Sequence, residues 1–255
     1  MSFMPVKHLA LAAFAIATVA TAPLSAQARG RGAPPPKTAP KPAEKTAPKP
    51  TSPLADPSNP FWKTKAPEKF TADVETSRGT ISLEVTRAWA PNGADHFYNL
   101  VRSGYYDDSR FFRVIYGFIA QFGISKDPAA ANLWGSHTIP ADTLVERNVR
   151  GTISYAQFKP TDRTTNIFIN LRDNPNLDTL KFVPIGKVVS GMDVADSLYS
   201  LYGEVPSSDP PLGDPKRLYS ETNKYLDEKF PNLDKIIKIT IRADAGTPPS
   251  SPPKR

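Results

Sequence analysis

Cysteine is absent from the 255 residues, and histidine occurs only as His8, His96 and His137. The first absence removes disulfide scaffolds, thiolate catalysis and thiolate metal sites, and it fits an oxidising compartment where a stray thiol is a liability. The second leaves thin material for a zinc centre or a catalytic triad, because His8 falls in the N-terminal leader and the other two stand 41 positions apart. Equally missing are the GxSxG elbow, the phosphate-cradling glycine loop, the dinucleotide fingerprint and HExxH. The carboxylates of residues 59–243 form no obvious pair in an apolar frame. An enzyme built from this chain works without a nucleophile, a metal, a cofactor or a general base.

The ends of the chain read differently from its middle. Residues 1–28 begin with Lys7 and His8, continue in an apolar run from Leu9 to Ala22, and finish in Ala26-Gln27-Ala28. That order fits a signal peptide cleaved after Ala28, so the expectation is export, to a periplasm or out of the cell. The run is shorter than the roughly 20 apolar residues a membrane-spanning helix needs, so no stable insertion is expected once the leader is gone. Retention as an anchor is the competing reading. Residues 29–58 are rich in Pro, Ala and Lys, with Leu54 their one leucine, and read as a disordered, extended tether. The tail, residues 244–255, also reads as disordered. Of the net charge of +7, the leader carries +1, the tether +4 and the tail +1, leaving +1 for residues 59–243. The basic balance belongs to the tether, so a nucleic-acid partner is not expected.

One domain is expected over residues 59–243. Phe70–Thr86 gives two strand-like runs around Ser77-Arg78-Gly79, a hairpin signature. Ala94, Phe97, Leu100 and Val101 recur at helical spacing before Gly104. His96 stands on this helix among polar neighbours and is expected to face solvent. Further strands are expected at Gly151–Ala156, Thr165–Asn170, Phe182–Val189 and Lys235–Ala243, with a short helix at Ser190–Ser200 and a charged one at Pro215–Phe230. Many short strands with few helices point to an antiparallel barrel or sandwich.

The stretch FFRVIYGFIAQFG (Phe111–Gly123) reads as a buried strand pair bent at Gly117, yet it holds Arg113. A guanidinium cannot lose its proton to escape burial, so it is either paired or aimed into a pocket that needs it. The stretch resembles the cyclophilin motif, in which Phe-His-Arg leads into Pro-Gly-Phe-Met-x-Gln-Gly-Gly. GTISYA, TNIFIN and LDTLKFVPIGKVVSGMDVADSL follow in the order of the family's other motifs, so the resemblance runs from about Phe70 to Ala243. Gly203–Asp234 is longer than a minimal cyclophilin has there.

The resemblance implies a mainly β fold, a closed antiparallel eight-stranded barrel capped by two helices, here with an extra C-terminal helical insertion. It also implies peptidyl-prolyl cis-trans isomerase activity on proline-containing polypeptides. Arg113 matches the family's catalytic arginine, while Phe118, Ile119 and Phe168 match the proline pocket and Leu177 a further apolar wall. Gln121 matches the glutamine that orients the arginine, Ala156 and Gln157 the strand whose main chain pairs with substrate, and Phe182 stands where a histidine is usual. Other departures are Phe112, Tyr116, the bulkier run Gln157–Asp162, Asn166 for a glutamine, and Asn176 where animal members carry tryptophan. Altered sequence preference and weak cyclosporin binding are expected, the second because the indole donor is missing. Two alternatives remain: a groove that binds proline segments as a chaperone with little turnover, and a tether that docks a partner while the barrel anchors it.

Overall fold

The computed structural model describes residues 52–210 and 212–242; the leader, residues 29–51 of the Pro/Ala/Lys-rich segment and the tail lie outside the described residues. Among the described residues there are nine strands: β1 (Lys69–Thr76), β2 (Gly79–Thr86), β3 (Ser109–Arg110), β4 (Arg113–Ile115), β5 (Ile119–Phe122), β6 (Thr152–Tyr155), β7 (Ile167–Asn170), β8 (Pro184–Ser190) and β9 (Lys235–Arg242). Six α-helices accompany them: α1 (Pro91–Arg102), α2 (Pro128–Gly135), α3 (Pro175–Thr179), α4 (Met192–Asp196), α5 (Pro215–Ser220) and α6 (Asn223–Lys229).

The hairpin forms where expected, with β1 and β2 in register from Lys69↔Thr86 to Thr76↔Gly79. Gly79 takes φ 138°, which a side chain would strain. Alternate residues of β1 and β2, among them Phe70, Ala72, Val74, Ile81, Leu83 and Val85, enter one large core. α1 starts with Pro91 at its first turn and lays Ala94, Phe97, Leu100 and Val101 on that core. It ends in a Schellman turn, in which the Tyr105 N–H donates to Leu100 O and the Gly104 N–H to Val101 O, with Gly104 at φ 74°.

Two expectations about architecture need correction. The sheet is a nine-stranded, curled half-barrel and not a closed eight-stranded barrel; its order is β3-β9-β1-β2-β8-β6-β7-β5-β4, so β3 and β4 are its two edges. Only Phe111 and Phe112 separate these edge strands in the chain, yet no ladder joins them. β3 spends its two residues on β9, and successive extended residues point to opposite sides. Phe111 therefore enters the main core, while Phe112 enters a second cluster built from Leu218, Tyr225, Leu226, Phe230 and Leu233. The outer edge of β4 meets Gly203 instead, in a single antiparallel bridge to Val114. Two capping helices are likewise too few among the described residues. Neither α2 nor α3 shows in the sequence pattern, and the charged helix expected over 215–230 is two helices, α5 and α6. The break is at Thr222, held at φ 47° with its hydroxyl donating to Lys126 O.

The last residues of the Pro/Ala/Lys-rich segment are ordered against the domain. Pro53–Ala55 of that segment and Pro60–Lys63 just after it form 3-10 turns, the Trp134 indole N–H of α2 donates to Leu54 O at 2.8 Å, and the Trp62 and Trp134 ring centroids lie 4.0 Å apart. His96 also differs from expectation: it is turned inward, its ring 6.0 Å from Trp134 and 6.2 Å from Tyr155, with Nε2 sealed from solvent and unpartnered. Burial, reinforced by the nearby charges of His137 and Arg163, depresses its pKa to about 3.

Candidate active site

The site lies across β4, β5, β7 and β6. Arg113 pairs with Gln121, Gln121 with Phe168, and Phe168 with Ser154. Residues directly opposite in a ladder share a face, so these four form one row across four strands, on the side away from the main core. The β4–β5 turn that folds this row up closes with the Phe118 N–H donating to Ile115 O at 3.0 Å, and Gly117 supplies the φ of 61° the turn requires.

Beside the arginine is a separate apolar cluster. Ile119, Phe168 and Leu177 are buried in it, with Phe118, Ala156 and Phe182 packed around them. Phe168 and Phe182 meet edge to face with centroids 5.8 Å apart. Leu177 is brought there by α3, one short turn after β7. The structure thus gathers Phe118, Ile119, Phe168, Leu177 and Phe182 at one place, cut off from the main core.

Arg113 stands at the rim of this cluster, partly buried. Its Nη1 donates to Gln121 Oε1 at 3.2 Å and its Nη2 to Glu204 Oε1 at 2.7 Å. Of the two alternatives for this cation, the structure shows the pairing: Arg113 is held by an acceptor on each side. Ala156 and Gln157 lie just past the end of β6 and not within it. The Ala156 N–H donates to Asn166 O at 2.9 Å, and the Gln157 side-chain amide donates to Lys181 O at 2.9 Å, so Gln157 is turned toward the loop after α3. Asn166 donates through Nδ2 to the Tyr219 hydroxyl of α5 at 2.9 Å.

A buried polar network that the motifs did not announce ties the pocket together. Asn148 Nδ2 donates to Asp178 Oδ1 and to Phe182 O, each at 2.8 Å, and its Oδ1 accepts from Ser154 Oγ at 2.8 Å. Asn170 Nδ2 donates to Thr152 Oγ1 at 2.9 Å, its Oδ1 accepts from Asn174 Nδ2 at 2.7 Å, and Asn174 in turn donates to Phe118 O at 3.2 Å. Six polar side chains thereby fix β6, β7, α3 and the backbone of Phe118 and Phe182 relative to one another. Among the described residues no group of three His, Cys, Asp or Glu side chains converges as metal ligands do.

The curled antiparallel sheet thus carries, on the face away from its main core, a small apolar cluster and a doubly paired arginine, with Phe168 common to the cluster and to the row that holds Arg113. The family model for cyclophilin type peptidyl-prolyl cis-trans isomerases matches residues 71–217. A probable peptidyl-prolyl cis-trans isomerase of Brucella abortus (strain 2308) is 32% identical over 205 residues, covering 76% of this chain and 88% of that protein. Peptidyl-prolyl cis-trans isomerase A of Dickeya dadantii (strain 3937) is 38% identical over 135 residues, 51% of this chain and 70% of that one. Among solved structures, a cyclophilin type isomerase of Cryptosporidium parvum aligns with a TM-score of 0.50 at 21% identity, over 69% of this chain and 99% of that one. The chain belongs to the cyclophilin-type peptidyl-prolyl cis-trans isomerase family and is an isomerase of that class.

Proposed function

We propose that the isomerase acts on Xaa-Pro bonds of exported polypeptides by arginine-assisted stabilisation of the twisted amide. The barrier is amide resonance, about 18–20 kcal/mol, and no covalent bond is made or broken. In the twisted state the prolyl nitrogen gains a lone pair, to which a fixed guanidinium donates far better than to the planar amide. Bringing tens of seconds down to milliseconds takes roughly four decades, or about 5–6 kcal/mol. One charge-assisted donor beside a dry pocket that restrains the ring can supply that. The observation carrying this reading is the row Arg113–Gln121–Phe168, with an apolar cluster separate from the core directly beside it. The proline ring would rest against Phe118, Ile119, Phe168 and Leu177, with Arg113 over the rotating bond.

The test is cis/trans exchange of a short Xaa-Pro peptide followed by NMR. The protein accelerates exchange, and Arg113→Ala loses at least ~100-fold while remaining folded, the scale of removing one donor aimed at transition-state charge. A folded variant with undiminished exchange removes the arginine from the mechanism. A second reading has one observation in its favour: Phe158, beside the groove, is 84% exposed, as a surface that holds apolar client segments would be. Line broadening of the peptide without faster exchange would favour that binding role.

Export rests on the leader and on the absence of cysteine. The mature protein from its native cell should begin at Arg29 by N-terminal sequencing; recovery with residues 1–28 attached to membranes would point to a retained anchor.

A further inference from the structure

The carboxylate on Arg113 comes from the start of Gly203–Asp234, the segment that is longer than a minimal cyclophilin has there. Gly203 stands opposite Val114 in an antiparallel bridge, and the next step of that register sets Glu204 opposite Arg113. The row therefore has a fifth member, Glu204–Arg113–Gln121–Phe168–Ser154, in which Arg113 is flanked in the plane of the sheet by one acceptor on each side. Gln121 holds Nη1 and Glu204 holds Nη2. A guanidinium has five N–H donors, so these two bonds leave three for substrate.

Glu204 is held in place by its neighbours. The Gly203 N–H donates to Ser200 O and the Val205 N–H to Tyr202 O, each at 3.0 Å, and Val205 opens a 3-10 turn. Tyr202 and Val205, on either side of it, pack into the cluster that contains Phe112, the residue before Arg113. The same cluster is pinned to β3 by Arg110, which donates to both carboxylate oxygens of Asp227 at 2.9 Å. The two side chains of the pair are 23% and 64% exposed for Arg113 and Glu204, so the contact adds little to stability. Its effect is on orientation.

We infer that Glu204 is a positioning residue for catalysis, the second of two acceptors that fix the Arg113 guanidinium, and that the insertion is thereby part of the catalytic apparatus. This rests on the arginine reading above. Gln121 alone would leave the guanidinium free to rotate about its Nη1 contact. With Glu204 in place, the remaining N–H groups keep one direction, over the pocket.

The experiment compares Arg113→Ala, Glu204→Ala, Glu204→Gln and the Arg113→Ala/Glu204→Ala double variant by peptide exchange, with kcat and KM separated. Glu204→Ala should lower kcat roughly tenfold with KM within about twofold, as when an orienting partner is lost. Glu204→Gln, which keeps an acceptor oxygen, should recover most of the rate. The double variant should equal Arg113→Ala, because the two residues act as one unit. In 1H–15N spectra the Arg113 Nη protons should be distinct in the wild type and averaged in Glu204→Ala. Unchanged kcat in Glu204→Ala overturns the proposal while leaving the arginine reading intact, and raised kcat overturns it by making the carboxylate a competitor of substrate. An equal loss on the Arg113→Ala background assigns Glu204 to structure alone. Full activity of Arg113→Ala sinks the arginine reading itself, and the positioning role with it.

Discussion

Asn170 shows how much of this site depends on side chains that do no chemistry. It sits fully buried in the row behind the pocket, and its amide group serves Thr152, Asn148 and Asn174 at once. Leaving a buried polar group unpaired costs about 1–3 kcal/mol, and Asn170→Ala strips a bond from each of these partners. The variant should lose about that much stability in urea unfolding with an unchanged m-value, and its KM for proline peptides should rise as Phe118 and Leu177 shift. A loss below ~0.5 kcal/mol, the ordinary scale of a surface substitution, would mean that the network is not what holds the pocket. The row residues themselves were legible as sequence, because Arg113, Gln121 and Phe168 each fall in a short motif. Their partners were not. Asn148 reaches Asp178 across 30 positions and Arg113 reaches Glu204 across 91, and no local pattern encodes contacts of that span.

At the scale of the element, α1 carries both a success and a failure of reading. Its apolar spacing placed the helix, yet His96 was expected outside on the strength of the polar residues beside it. Gly93, His96, Phe97 and Leu100 stand at i, i+3, i+4 and i+7, so His96 lies on the inward stripe by the same periodicity that defines the helix. The consequence is a pH dependence. The folded protein holds His96 with a pKa of about 3, below its usual value near 6.5 when unfolded. Between those values the unfolded chain binds the proton and the folded one does not, so stability rises with pH through this window and is lost on acidification, at up to about 1.4 kcal/mol per pH unit. Melting temperature measured from pH 7 to pH 4 should therefore fall for the wild type and fall less for His96→Gln, which cannot charge. Parallel curves for the two proteins would assign the acid sensitivity to other groups. The break between α5 and α6 was illegible for a different reason: Pro215–Phe230 is helical in pattern throughout, and what stops it at Thr222 is a tertiary hydrogen bond to Lys126 O.

For the whole molecule, residue patterning located every strand but β3, and the closure that the family resemblance implied is absent. Eight strands and a closed ring follow from the general fold, but this chain has a ninth, short edge strand and an insertion that packs under Phe112. Those additions settle what happens at the two ends of the sheet. β3 offers two residues and has α6 tied to it through Arg110 and Asp227, while the outer side of β4 is taken by Gly203. Neither end exposes a long run of free backbone donors and acceptors. If clients bind as extended stretches beside its strands, as the proposed function has it, this has a distinct value. Unfolded clients add readily to open sheet edges, and such additions grow into aggregates. A sheet with both margins blocked can handle these chains at its surface without becoming the seed on which they assemble.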